Sequence, residues 1–394
     1  MKTIYLHIGT FKTGTSSIQG FLGRNRNALA QQGYLVPSSA APGHHELPIS
    51  LIKEYSSFRG AWPKVEESSG QLWKKLLNEI ESSQCDKVVI SAETFCDLVN
   101  EHCRDSSEKM GKLVAKYLRN YEVKVVCYVR AILPYMQSMY GETIKITPSH
   151  RSFEEQVGIY AKHRSLHLSP TIYLDFYEKL FGRQAMIVRE YKREKLANGD
   201  VVHDFAEVIG LPTAIIETLL GESTKGPLSL NTSIDPRQMD LKRAFNLAGV
   251  HGPDLNRQIA ELLKGAARLA DEHNQGSEGQ LDASLYDLIC EEQLELNTRY
   301  GLEMASPEPD LYAVPDVPRN VDDLYTIALL GLVISQSQDS IRLAKQNAKA
   351  IEQLQQQNQK LLSEFSTRRP GFLEQLSSSL KTASDKLLVK LRRH

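Results

Sequence analysis

Four short runs of β-branched or apolar residues lie in the first half of the chain, and each is followed by a turn and a segment with helical periodicity. The runs span residues 3–8, 87–91, 123–129 and 184–188, and the helical segments include 16–32, 70–82, 107–120 and 171–181. Runs that are apolar on both faces are typical of parallel strands covered by helices. The alternation therefore predicts an α/β fold, with a doubly wound, mainly parallel sheet flanked by helices.

The remainder of the chain has a different composition. Residues 198–299 have helical periodicity and are expected to cap the sheet. Prolines then cluster between 306 and 318, which is typical of a linker. We therefore predict a main domain over residues 1–305, a proline-rich linker over 306–320 and a helical extension over 321–394.

Two patterns distinguish this C-terminal extension. Residues recurring at spacings of four and three form a short coiled-coil seam, namely Asn347, Ile351, Leu354, Asn358, Leu361 and Phe365. Residues 373–391 place leucines on one helical face and basic residues elsewhere, as in helices that lie on membrane surfaces. These patterns predict contact with a second copy of the chain or a peripheral membrane contact, and a solvated helical tail is the alternative.

The charge balance excludes one class of partner. There are 47 Lys and Arg residues against 48 Asp and Glu residues, so no overall positive field attracts nucleic acid. The 5 cysteines form no CxxC pair, and we interpret them as reduced. The sequence has neither a signal-peptide pattern nor the roughly 20 consecutive apolar residues of a membrane span. A cytoplasmic location is therefore expected, with attachment to the inner membrane face as a variant of it.

The first predicted strand runs directly into a loop that suits an anion. The loop and the start of the next helix offer backbone N–H groups, an ammonium and hydroxyls, from Gly9, Lys12, Thr13, Gly14, Thr15, Ser16 and Ser17. Such groups at the positive end of a helix dipole bind phosphate-type ligands. A nucleoside-triphosphate loop has its lysine directly after the last glycine, whereas Lys12 precedes Gly14.

Together with His7 and Ile8, this loop resembles the 5′-phosphosulfate loop of sulfotransferases that use 3′-phosphoadenosine 5′-phosphosulfate (PAPS), in the bacterial branch related to glycan sulfotransferases. The resemblance extends to Arg130 at the end of run 123–129 and to Ser138 on the next helix. In that family this pair holds the 3′-phosphate, which suits a forked guanidinium and a hydroxyl donor. The similarity covers about residues 1–300. It implies a sulfotransferase fold related to P-loop nucleoside triphosphatases, PAPS as co-substrate and no metal.

Two sets of residues are candidates for the base that accepts the proton of the acceptor hydroxyl. Glu93 follows run 87–91, where ligand-facing residues of open α/β sheets gather. It resembles the glutamate base of family members related to heparan sulfation. His44 and His45 lie after the first helix and resemble the histidine base of other members. The alternatives are a carboxylate that only favours a helix N-terminus and a pair of exposed loop histidines.

His163 and His167 are four residues apart on a predicted helix, but no third metal ligand is evident, so we interpret them as part of a solvated face. The family's later Arg-Lys-Gly nucleotide motif is not visible here. Asn231, Thr232 and Ser233 are candidates for the adenine contact instead.

The sequence therefore predicts in-line transfer of a sulfuryl group from PAPS to a hydroxyl of a glycan acceptor. The glycan follows from the resemblance alone, and a protein tyrosine or a small alcohol stays open as the acceptor. One alternative is a P-loop-type kinase or nucleotide hydrolase, which needs a different lysine placement and a magnesium ligand. The other is a non-catalytic nucleotide-binding scaffold that acts through its C-terminal helices.

Overall fold

The computed structural model describes most of the first 307 residues and part of the C-terminal extension. The described positions are 1–39, 43–58, 65–223, 242–243, 246, 281–307, 346–347, 349, 351–357 and 359. The chain forms two compact units, Met1–Asn320 and Val321–His394. Within the second unit, positions 351–357 are helical and exposed. The seam residues Asn358, Leu361 and Phe365, the predicted basic helix and the adenine candidates lie outside the described residues.

The first unit is built on a five-stranded sheet. Its strands are β1 (Thr3–His7), β2 (Tyr34–Leu35), β3 (Lys87–Ser91), β4 (Glu122–Val129) and β5 (Met186–Glu190), in the order β2-β3-β1-β4-β5. Every pairing is parallel, and β1 lies between β3 and β4. The predicted α/β class and mainly parallel sheet are confirmed. Because the strands run in one direction, the segments that follow them meet at one edge of the sheet.

Helices connect these strands. They are α1 (Thr15–Arg24), α2 (Arg26–Gln31), α3 (Glu46–Tyr55), α4 (Ser69–Ser82), α5 (Arg104–Leu118), α6 (Ile132–Ile146), α7 (Phe153–Lys162), α8 (Thr171–Phe181), α9 (Val201–Val208), α10 (Thr213–Ser223) and α11 (Ala283–Tyr300). A short 3-10 helix, Glu93–Val99, follows β3 directly.

Helices cover both faces of the sheet, which gives the doubly wound arrangement. On one face, Ile18 of α1 and Phe205 of α9 belong to the same buried core. On the other face, Trp73 of α4 and Tyr173 of α8 pack in a second core that includes Leu6 of β1. Successive strand side chains point to opposite faces, so one buried strand supplies residues to both cores.

Helix α4 illustrates how local sequence sets these elements. The Ser68 hydroxyl accepts a hydrogen bond from the Gln71 N–H, and the Gln71 side chain accepts one from the Ser68 N–H. This capping box satisfies donors that the first turn leaves unpaired. Leu72, Leu76 and Ile80 then recur every four residues and are all buried. Their spacing directs one helix face into the core.

The predicted helix over 16–32 is wrong in one respect, because it is two helices. Asn25 lies between α1 and α2, and its side-chain amide donates to the Phe21 carbonyl over 3.0 Å. A side chain that occupies a helical carbonyl competes with continuation of the helix. Strand β2 was not predicted, because its two residues are too few to show a period.

Two further observations concern membranes and cysteines. Among the described helices, none combines the length and the apolar character needed to cross a membrane. All five cysteines are described, and each is a free thiol. Four of them, Cys85, Cys96, Cys103 and Cys127, are buried.

Candidate active site

The loop after β1 has a tightly constrained backbone. Gly9 and Gly14 have φ angles of 101° and 78°, which side chains rarely allow. A Cβ on Gly9 would lie 2.8 Å from Glu93 Cβ, and a Cβ on Gly14 would lie 2.6 Å from Val201 Cγ1. Glycine is therefore required at these two positions by packing as well as by conformation. The loop is held between the end of β3 and the start of α9.

The N-terminus of α1 presents backbone donors. Gly14 is the N-cap and provides no side-chain cap. The Ser17 N–H bonds back to the Gly14 carbonyl over 3.0 Å. Among the described residues, no group accepts a hydrogen bond from the N–H of Thr15 or Ser16. These amides lie at the positive end of the helix dipole and suit an anion.

The loop hydroxyls divide into two kinds. The buried Thr13 hydroxyl donates to the Thr10 carbonyl over 2.6 Å, so it braces the loop from within. Ser16 is exposed and Ser17 half-buried at the start of α1. The predicted ligand contacts at the two serines are therefore accessible, whereas the Thr13 side chain already has an internal role.

Lys12 is directed toward helix α6. Its φ angle of 60° is in the left-handed region, which is uncommon for a residue other than glycine. Its Nζ lies 3.3 Å from Oε2 of Glu142. Lys12, predicted as the cation of this loop, therefore pairs with a carboxylate on helix α6.

Arg130 is brought beside the loop by backbone pairing. The Gly9 carbonyl accepts from the Tyr128 N–H over 2.8 Å, and the Thr10 N–H donates to the Tyr128 carbonyl over 3.1 Å. Arg130 follows two residues later, immediately after β4. The predicted loop and the predicted arginine therefore share one edge of the sheet.

The Arg130 side chain is half-buried. Burial lowers the pKa of its guanidinium, an effect that the nearby Tyr191 partly opposes. Within the described part of the chain, no group accepts a hydrogen bond from it. Ser138 lies in the second turn of α6 and is partly exposed. A desolvated guanidinium followed by a helix with an accessible hydroxyl suits a phosphate ligand.

Glu93 and His45 come together at the end of β3. The Gln19 side-chain amide donates to Glu93 Oε2 over 2.7 Å, and His45 Nε2 lies 3.6 Å from the same oxygen. His45 Nδ1 lies 3.2 Å from the Thr94 hydroxyl. Two of the three base candidates are therefore neighbours, next to Gly9 of the loop between β1 and α1, residues 9–14, which is named the anion loop.

His44 has a different environment from His45. Its Nδ1 accepts from the Ser91 N–H over 3.1 Å, and its Nε2 lies 3.1 Å from the Pro37 carbonyl. Burial lowers the pKa of His44 to about 4, so the ring is neutral at pH 7. The exposed-loop interpretation is wrong for this residue. With both nitrogens occupied, the His44 ring braces the end of β3 and has no free position for a substrate proton.

His163 and His167 do not share a helix face. Helix α7 ends at Lys162, His163 is exposed just beyond it, and His167 lies further along the chain. Burial lowers the pKa of His167 to about 4. The predicted solvated face is therefore wrong for His167. Among the described residues, no three His, Cys, Asp or Glu side chains group closely enough to hold a metal ion.

His167 instead belongs to a polar and aromatic cluster near the loop. Its Nδ1 lies 2.9 Å from the Tyr135 hydroxyl, and its ring centroid is 6.3 Å from that of Phe11.

Asp97, on the 3-10 helix after β3, has its pKa raised to about 8, chiefly by burial and then by repulsion from Glu101. Asp97 is therefore largely protonated at neutral pH.

Two side chains at this site, Gln19 and Glu142, are not among the residues predicted from the sequence. Gln19 lies four residues after Thr15 on α1, and Glu142 lies four residues after Ser138 on α6. Residues four apart share a helix face. The four-residue spacing from Thr15 and from Ser138 was therefore the sequence signal that could have identified Gln19 and Glu142 as residues of the site.

No family model and no curated protein matches the chain. Among solved structures, the chain is similar to the crystal structure of a sulfotransferase from Alicyclobacillus acidocaldarius, with 14% sequence identity and a TM-score of 0.35. The match covers 65% of this chain and 99% of that one. At 14% identity, the roles of individual residues rest on the geometry of this chain.

Proposed function

We propose that this chain is a sulfotransferase that moves a sulfuryl group from PAPS to a hydroxyl of a glycan acceptor. One observation supports this most strongly. The loop with Lys12, the guanidinium of Arg130 and the carboxylate of Glu93 follow three adjacent strands, β1, β4 and β3, and so meet at one edge of the sheet. Two separate cationic positions beside a carboxylate suit a donor with two separate anionic groups.

The donor would be held at two positions. The amides at the start of α1 and the ammonium of Lys12 suit the 5′-phosphosulfate. Arg130 and Ser138 suit the 3′-phosphate, because a guanidinium forms forked, charge-assisted hydrogen bonds with phosphate oxygens. A single chain of phosphates, as in ATP, would engage the first position without the second.

Transfer requires one bond to form as another breaks. The acceptor oxygen bonds to sulfur while the bond from sulfur to the 5′-phosphate oxygen breaks, and adenosine 3′,5′-bisphosphate departs. Lys12 and the loop amides stabilise the negative charge that grows on the departing oxygen. The positioning of both reactants supplies most of the remaining acceleration.

The acceptor proton is assigned to Glu93. A sugar hydroxyl has a pKa far above 7, so a positioned base must take its proton as sulfur is attacked. Glu93 is oriented by Gln19, and His45 Nε2 lies 3.6 Å from the same carboxylate oxygen. His44 receives no proton in this scheme because its ring nitrogens are occupied.

The deciding experiment supplies PAPS with a labelled sulfuryl group and a panel of cell-surface glycan extracts. Tyrosine peptides and small alcohols serve as alternative acceptors. Label on a glycan supports the proposal, and label only on another acceptor rejects the glycan assignment. Magnesium-dependent ATP turnover without sulfuryl transfer would favour the kinase or hydrolase. Tight nucleotide binding without any transfer would favour the scaffold.

A further inference from the structure

Glu142 occupies a position from which it reaches the anion loop. It lies on α6, one turn after Ser138, so these two side chains share a helix face. Its Oε2 is 3.3 Å from Nζ of Lys12. The side chains of Lys12 and Glu142 are 23% and 28% exposed, so the ion pair is only partly solvated. The helix that carries Ser138 therefore also supplies a counter-charge to the loop.

Lys12 needs such a partner to be held in place. A lysine ammonium is a compact charge on a flexible four-carbon stem, and its rotamer freedom must be restricted before it can act at one point. The backbone φ of 60° fixes only the direction in which the stem leaves the loop. A carboxylate at hydrogen-bonding distance restricts the rest of the stem. Because an ammonium has three N–H donors, contact with Glu142 leaves donors for a ligand oxygen.

We propose that Glu142 is a positioning residue for Lys12, holding its ammonium over the anion loop through the contact of Oε2 with Nζ. Glu142 does not touch the substrate in this arrangement. The catalytic part of this inference rests on the proposed sulfuryl transfer. The contact itself is a property of the chain and can be tested without any transfer.

The charge of Glu142 has two opposing consequences. A carboxylate close to a bound polyanion disfavours donor binding in the ground state. The same carboxylate favours transfer, because it keeps Lys12 where charge grows on the departing oxygen. Removing the charge should therefore separate binding from turnover. A residue with only a structural role would instead reduce folding stability, binding and turnover together.

The first test replaces Glu142 by Gln and compares it with Glu108→Gln, which removes the 2.7 Å ion pair with Lys112 on α5. For Glu142→Gln we expect kcat to fall about tenfold, less than the roughly 10²-fold that a 1 Å misplacement can cause. The KM for PAPS and the Kd for adenosine 3′,5′-bisphosphate should stay the same or decrease. Glu142→Asp should recover part of kcat. An unchanged kcat, or a loss confined to KM, overturns the inference.

A double-substitution cycle makes this test specific to Lys12. On a Lys12→Ala background, Glu142→Gln should cause no further loss of kcat, because the side chain that it positions is gone. A further tenfold loss on that background would show that Glu142 acts by another route and would overturn the inference.

The second test does not require transfer. Reductive methylation with formaldehyde and a borohydride is followed by mass spectrometry at Lys12, with Lys112 as an internal reference. Glu142→Gln should speed modification of Lys12 and leave the rate at Lys112 unchanged. Glu108→Gln should speed modification of Lys112 and leave the rate at Lys12 unchanged. An unchanged rate at Lys12 overturns the inference whether or not transfer is detected. If the unaltered chain transfers no sulfuryl group, the proposed function fails, and the rate at Lys12 still decides whether Glu142 holds this lysine.

Discussion

The side-chain amide of Gln19 donates to Oε2 of Glu93 over 2.7 Å, which ties helix α1 to the end of β3. Helix α1 also presents the amides of Thr15 and Ser16 to the anion position, and Gln19 lies one turn after Thr15. One helix face therefore contacts both the position assigned to the donor and the carboxylate assigned to the acceptor proton. The distance between these two parts of the site is set by a rigid element.

Replacing Glu93 by Gln should remove the base while preserving the contact with Gln19 in altered form. We expect kcat to fall by roughly 10²–10⁴, the range for loss of general-base catalysis. Affinity for adenosine 3′,5′-bisphosphate should change little, as measured by calorimetry. Glu81→Gln, at an exposed position on α4, is the control. If Glu93→Gln keeps full turnover and His45→Gln loses it, the base is His45.

Replacing Arg130 by Ala should remove a preference for a 3′-phosphate. The unaltered chain should bind adenosine 3′,5′-bisphosphate much more tightly than AMP or ATP. A charge-assisted hydrogen bond contributes about 1.5–3 kcal/mol, so the variant should lose about 10- to 100-fold in affinity for the bisphosphate. Its affinity for AMP should be nearly unchanged. Arg119→Ala, exposed after α5, should alter neither affinity. Equal losses for the two ligands would contradict the assignment of Arg130.

Replacing Lys12 by Ala should affect turnover more than binding. Its charge acts on an oxygen that becomes negative only as the S–O bond breaks, so the loss belongs to the transition state. We expect kcat to fall by about 10²-fold or more, by analogy with removal of one preorganised donor. Lys112→Ala is the matched control. A raised KM with an unchanged kcat would show that Lys12 only binds the donor.

The burial of His44 predicts a pH dependence of stability. Its pKa is about 4 in the folded chain and about 6.5 when unfolded. Between these values the unfolded chain takes up a proton that the folded chain does not, so the free energy of unfolding decreases as pH falls from about 6.5 to about 4. His44→Gln should reduce that slope in denaturant titrations at pH 7 and 5. His163→Gln, at an exposed position, should not. An identical slope in the His44 variant would contradict the buried, neutral assignment.

Removing the C-terminal extension should separate transfer from location. Every residue with a proposed chemical role, including the adenine candidates Asn231, Thr232 and Ser233, precedes residue 234, whereas the predicted seam and the basic helix follow residue 346. A chain that ends near Pro318 should transfer to a soluble acceptor at the full rate. If the extension contacts membranes, the truncated chain should no longer float with liposomes, since each basic residue near an anionic surface contributes about 1 kcal/mol to membrane binding. If the extension instead contacts a second copy, the truncated chain should no longer self-associate in sedimentation. Loss of transfer by a folded truncated chain would place the extension in the active site.

The fold was largely predictable because its longer elements carry their own pattern. Strand β3 and helix α8 have the predicted bounds, Lys87–Ser91 and Thr171–Phe181. Strand β2 could not be found in this way. Its two residues form a strand only because they pair with Lys87 and Val88, which lie far along the chain.

The site was predictable where strand ends determine it. Glu93 and Arg130 could be placed at one edge because parallel strands end together. The environment of His44 could not be predicted from the sequence, because its hydrogen-bond partner Ser91 is 47 residues away. Lys12 and Glu142 are 130 residues apart in the sequence, and no helix or strand periodicity indicates that their side chains are in contact. Side-chain partners that meet only after folding explain most of what the sequence did not reveal.

The central position of β1 has a consequence for the order of folding. Among the five strands, β1 is synthesised before the others, β4 follows more than a hundred residues later, and α9 follows β4. Long-range parallel pairing of this kind is slow, because chain entropy is lost before contacts form. A nascent chain that has emerged only through β3 would contain the glycine loop without the neighbours that shape it. A bisphosphate ligand should therefore stabilise only molecules folded past α9, and it should not speed the folding steps that precede α9.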